Sequence, residues 1–215
     1  MILLEAFSSI IFLAAFFYGA IKLWKKGKPL YFQIIICAIG CCALFHISVI
    51  VMAYCNVNET FFNDSFFGIF GCYMLLLCAN RGTLEKIIYE KSKPAASVLA
   101  VAAGIMALVL STGVGLYCYG ADKPVLYIFV LVQLPACFVV HYNVKHLLSR
   151  SDELGLLKGL RFTDIFTLVF CIVLIFDTAC WKKVSIISAA ADLAVSLAIM
   201  ALSVSAVRGA KKWSF

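Results

Sequence analysis

Charged side chains are scarce in this chain. Asp, Glu, Lys and Arg make up 13% of its 215 residues, against about 25% in soluble domains. That shortage excludes a sizeable water-soluble module, because too little charge remains to solvate one. Proline is rare as well: of four, only Pro135 falls in the interior of an apolar stretch, Pro124 standing at the start of one. There are three histidines, and His141 and His146 lie far from His46, so no pair at matching depth could hold a haem between helices. The chain has no G-x-S-x-G elbow, no H-E-x-x-H and no Gly-rich phosphate loop, which removes the commonest hydrolase, zinc-protease and nucleotide signatures. No basic stripe is interleaved with exposed aromatics, so the net charge of +7 is not a nucleic-acid signal. Nor does a basic segment precede the first apolar stretch, the first charge of the chain being Glu5; a cleavable signal peptide is not expected.

What the chain does have is long apolar runs. Hydrophobic residues make up 64%, and the mean hydropathy is +1.04. The runs cover roughly 6–24, 31–54, 66–80, 95–118, 124–144, 162–181 and 184–207. Most are about 20 residues long, the length at which an α-helix crosses ~30 Å of hydrocarbon. Fifteen of the eighteen Lys and Arg lie in alternate gaps: Lys22, Lys25, Lys26 and Lys28; Arg81, Lys86, Lys91 and Lys93; Lys145, Arg150, Lys158 and Arg161; then Arg208, Lys211 and Lys212. Only Lys123, Lys182 and Lys183 fall on the other side. The positive-inside rule therefore predicts an all-α polytopic membrane protein: one domain over 1–215, seven transmembrane helices, N-terminus outside and C-terminus cytoplasmic, in the plasma membrane. Trp24, Tyr31, Tyr142 and Trp213 read as an inner aromatic belt, and Tyr54, Tyr117, Tyr119 and Trp181 as an outer one.

The ten cysteines do not read as a disulfide framework. Cys37, Cys41, Cys42, Cys78, Cys137 and Cys171 lie within spans, where Cys acts as a small hydrophobe. One outer disulfide among Cys55, Cys72, Cys118 and Cys180 is compatible with an oxidising compartment. The loop 55–65 carries N-x-S/T sequons at Asn58 and Asn63. Leu84, Ile87 and Ile88, among charges, predict a helical extension along the inner surface.

Polar residues within spans are costly, so their depth is informative. Counting ~1.5 Å per residue from the outer end puts Asp192, His46 and Gln133 some ~12–13 Å down, and Tyr73 with the Ser111–Thr112 pair ~10 Å down. Ser8 and Ser9 sit at a similar depth and Asp177 is shallower, while the inner half reads as plainer, although Asn80, Ser203 and Ser205 occur there. Ser185, Ser188, Asp192, Ser196 and Ser203 share one face of the last span, and its alanines admit close neighbours. The expectation is an outward polar pocket in which Asp192, His46, Gln133, Tyr73, Ser188, Ser196 and Thr112 bind a small polar or amphipathic ligand. No cofactor or metal is expected, since Cys42 and His46, at i and i+4, offer two ligands where zinc takes about four, and no catalytic residue is assigned. The expected partners are the bilayer, the ligand and a further membrane protein.

The heptahelical plan is similar to that of microbial rhodopsins and G-protein-coupled receptors. Ser196 stands four residues after Asp192, where the rhodopsin plan has its retinal-linking lysine, so a Schiff base on the last helix is excluded. The helix count also resembles SWEET-type carriers, but the hinge prolines of several spans are missing. A ligand-binding sensor is thus the leading expectation. A small-solute carrier, which needs a second polar layer towards the inner face, is the first alternative. An intramembrane hydrolase or transferase, with Asp192 and His46 as a tight acid/base pair, is the second.

Overall fold

The computed structural model describes residues 2–24, 28–55, 60–81, 94–148, 156–180 and 186–213. Among them the chain is all-helical, with seven helices: α1 (Ile2–Leu23), α2 (Leu30–Cys55), α3 (Thr60–Ala79), α4 (Pro94–Tyr119), α5 (Lys123–Leu148), α6 (Leu156–Cys180) and α7 (Ile186–Trp213). Six are long and apolar enough to cross a membrane; in α3 the apolar part is the shorter Phe66–Ala79. Side chains such as Ile10, Ile21, Leu44, Val98, Met106, Leu131 and Leu197 face outwards from the bundle. Water would not tolerate so broad an apolar surface, whereas lipid does. The expected inner-surface extension and Asn58 lie outside the described residues, as does the side chain of Asn63. All ten cysteines are free thiols.

Six helices close a ring in the order α1, α2, α3, α5, α6, α7, and α4 lies outside it against α5 and α6. The reason is written in α4 itself. Its buried residues are Ala96, Ala100, Gly104, Ala107, Ser111, Gly115 and Tyr119, one narrow stripe of mostly small side chains that serves a single close contact. At Gly104 an added Cβ would meet the Cys137 carbonyl at 3.1 Å. Only 28% of the α4 span is buried, against 56% of the α6 span.

Close approaches set the register of the ring. At Gly68 of α3 a Cβ would stand 2.9 Å from Phe45 Cβ and 3.0 Å from the Cys41 carbonyl of α2, so this crossing requires glycine. Ser203 of α7 donates to the Ala15 carbonyl of α1 at 2.7 Å. Across the interior, α2 and α6 run parallel in near-constant register, Tyr31 meeting Asp164 and His46 meeting Asp177. Lys22, Lys28, Arg81, Lys145, Arg161, Arg208, Lys211 and Lys212 consequently gather at one end of the bundle.

Candidate functional site

Towards the end opposite the basic one, three helices deliver titratable side chains to one point. His46 comes from α2, Asp177 from α6 and Asp192 from α7, and all three are buried. One ligand atom from each lies within 4.8 Å of the other two. His46 Nε2 and Asp177 Oδ2 are 3.9 Å apart, longer than a hydrogen bond. The imidazole is held between Phe12 of α1, with ring centroids 4.2 Å apart, and Phe45, at 5.1 Å and nearly edge-on. Asp192 therefore faces the bundle interior, as its helical face predicts, and its neighbours come from α2 and α6.

The Asp177 end of α6 is fixed from two sides through the residue next to Asp177. Gln133 Nε2 of α5 donates to Thr178 Oγ1 at 3.0 Å, and the Tyr119 hydroxyl of α4 donates to the Thr178 carbonyl at 2.9 Å. Thr178 Oγ1 in turn donates to the Leu174 carbonyl at 2.7 Å. Gln133 thus positions α6 and, through it, Asp177.

Compared with protein-family models, curated proteins and solved structures, the chain matches none. Function therefore has to be argued from the site.

The expected site residues divide. His46 and Asp192 meet. Gln133 joins them through Thr178. Ser196 is buried one turn from Asp192 on the same face of α7, and its hydroxyl has no hydrogen-bond partner among the described residues. Ser188 is half-buried. Tyr73 is fully buried, and its electrostatic neighbours are the thiols of Cys171, Cys72, Cys42 and Cys137; it belongs to a thiol-rich waist below the trio. Thr112 is half-buried on α4, outside the ring, and its neighbour Ser111 donates back to Leu108. A groove of about 650 Å³ lies elsewhere, between α6 and α7 towards the basic end, lined by Phe162, Phe166, Met200, Ala201, Val204 and Ser205 with Arg208, Lys211 and Lys212 at its rim.

Two expectations need correction. The half of the bundle towards the basic end is not plainer. The Tyr31 hydroxyl donates to Asp164 Oδ1 at 3.1 Å, and His146 Nδ1 lies 4.0 Å from the same oxygen. Asn143, Thr163 and Thr167 are buried near that end of their helices, besides the expected Asn80. And Tyr31 and Tyr119 are not interfacial anchors: both are buried and spend their hydroxyls inside the bundle. Tyr54, Tyr117 and Trp24 are exposed, as belts require.

Chemically, with a neutral imidazole and both carboxylates ionised, the trio would carry two negative charges among buried side chains. Buried charge is costly unless it is compensated. A proton shared with His46 offsets one charge; a bound cation offsets one or two. The arrangement suits cation capture better than nucleophilic catalysis, which needs a nucleophile hydrogen-bonded to its base. Among the described residues Ser196 makes no such bond.

Proposed function

We propose that this protein is a ligand-binding membrane protein of sensor or receptor type, with seven spans, the N-terminus outside, the basic end in the cytoplasm and the plasma membrane as its site. The observation that carries the reading is the convergence of His46, Asp177 and Asp192 from three helices on one buried point. Intramembrane carboxylates are rare unless used, and two beside one imidazole favour a cationic ligand. Binding there draws α2, α6 and α7 together at the outer end. Any resulting shift of α6 or α7 reaches the cytoplasmic face, where the basic residues supply a contact surface for a membrane partner.

A specific observation favours a second reading, a small-solute carrier. The buried Tyr31–Asp164–His146 cluster lies ~20 Å further along the same helices, by the 13-residue step from Asp164 to Asp177 at ~1.5 Å per residue. A carrier needs polar groups beyond the first site, towards the other face, and this cluster supplies them.

Ligand-dependent thermal unfolding of the full chain in nanodiscs tests the reading, with a panel of inorganic cations, amines and amino acids. A panel member should raise the wild-type midpoint and fail to raise that of Asp192→Asn. Equal shifts in both proteins, or none in either, would reject a ligand site at this point. Uptake of the same compound into proteoliposomes, abolished by Asp164→Asn while binding persists, would select the carrier.

A further inference from the structure

We propose that His46, Asp177 and Asp192 hold one divalent transition-metal ion. The inference rests on the reading of this centre as a ligand site and adds the chemical class of its ligand. Three observations carry it. The first is charge: two carboxylates match a dication, so the occupied centre is neutral, and neutrality is what an apolar interior demands. The second is geometry. For three atoms at the 4.8 Å limit, the central point lies about 2.8 Å from each. Metal bonds to nitrogen and carboxylate oxygen are about 2.0–2.2 Å, so each side chain need move in by less than about 1 Å, within the reach of rotamer adjustment. The His46–Asp177 separation of 3.9 Å is already close to the ~3.4 Å edge of a tetrahedron with such bonds. The third is the donor set. An imidazole nitrogen suits zinc or iron and carboxylates suit manganese, whereas calcium takes 6–8 oxygens and magnesium keeps an octahedron of oxygens and waters.

Completion of the coordination shell is also at hand. The hydroxyls of Ser196 and Ser9 are buried and have no hydrogen-bond partner among the described residues. With Ser203 bonded to Ala15 on parallel helices, Ser196 stands level with Ser8 and Ser9. These hydroxyls can bind the metal's remaining water ligands. The phenylalanines that sandwich His46 keep the ring from turning away. Cys42, one turn from His46 on α2, is the soft rival: a thiophilic ion would go to Cys42 and Cys72, whose side chains are within hydrogen-bonding reach of each other.

The test uses the full chain in nanodiscs, stripped with a chelator and dialysed separately against Mn²⁺, Zn²⁺, Mg²⁺ and Ca²⁺. Elemental analysis should find one Mn²⁺ or Zn²⁺ per chain, with a raised unfolding midpoint, and neither effect for Mg²⁺ or Ca²⁺. Asp177→Asn and Asp192→Asn should weaken retention more than about a hundredfold, since even the partners of metal ligands are worth 10–100-fold; Cys42→Ser should change nothing. If the Asn variants do not fold, the wild type decides alone: bound Mn²⁺ should show magnetic coupling to one imidazole nitrogen. No retained metal, equal retention by the Asn variants, loss on Cys42→Ser, or no nitrogen coupling would each overturn the assignment. If no metal binds while an organic cation still stabilises the wild type and not Asp192→Asn, the metal fails and the ligand site stands. If neither stabilises it, both fail.

Discussion

Replacing Tyr31 by Phe removes one hydroxyl from a buried contact between α2 and α6, and its cost can be worked from the structure. The hydroxyl donates to Asp164 Oδ1 at 3.1 Å, long for an O–H···O bond, whose usual length is about 2.7–2.8 Å. A hydrogen bond contributes about 0.5–1.5 kcal/mol in soluble proteins when both groups are neutral and about 1.5–3 kcal/mol when one is charged. Within bilayers measured couplings average about 0.6 kcal/mol and reach about 1.7, because a helix separated from its bundle also finds polar partners. The long distance and the membrane reference both push the value down. The burial of both groups pushes it up. The expected coupling is about 1 kcal/mol. A double-mutant cycle of Tyr31→Phe and Asp164→Asn, read by unfolding in mixed micelles, measures it. Cycles resolve about 0.3–0.5 kcal/mol, so a coupling indistinguishable from zero would refute the cross-bundle contact. It would also undermine the shared α2–α6 register that brings His46 to Asp177.

Gly68→Ala should destabilise the bundle by about 1–3 kcal/mol, because its Cβ would press on Phe45 and the Cys41 carbonyl. Gly113→Ala, with nothing within 4 Å of the new Cβ, should be neutral or stabilise by up to about 1 kcal/mol through helix propensity; equal effects at both sites would contradict the packing described. Ser203→Ala should cost about 0.5–1.5 kcal/mol by removing the bond to the Ala15 carbonyl, and a silent substitution would place α1 and α7 differently. For the topology, the exposed Cys55 should react with a membrane-impermeant thiol reagent on intact cells. With Cys55 replaced by Ser, Ser214→Cys should add labelling only after permeabilisation, and the reverse pattern would invert the orientation.

The helices and the buried face of α7 were legible because both are periodic properties of one segment. Asp192, Ser196 and Ser203 fall on one side at steps of 4 and 7, and all three are buried. His46 and Asp192 were legible as a pair because depth along two helices can be counted. Asp177 was seen only as a shallower polar residue, since its depth does not show that it points at His46. Asp164 went unread because it opens an apolar run just after Arg161 and looks like part of the interface. Its meaning comes from Tyr31, 133 residues earlier. Tyr31 and Tyr119 carry the same ambiguity: an aromatic near a span end fits an interface or a buried hydroxyl equally well. The outlying position of α4 could have been inferred, because its small residues form a single stripe. Thr112 sits beside that stripe and was placed in the pocket on depth alone.

The central claim is that His46, Asp177 and Asp192 form one ligand centre. An experimental map of the full chain in nanodiscs, at a resolution that shows side chains, tests it most directly. The account predicts all three side chains turned inward around one shared, non-protein density. Any of the three facing lipid, or three side chains in separate contacts with nothing between them, would contradict it.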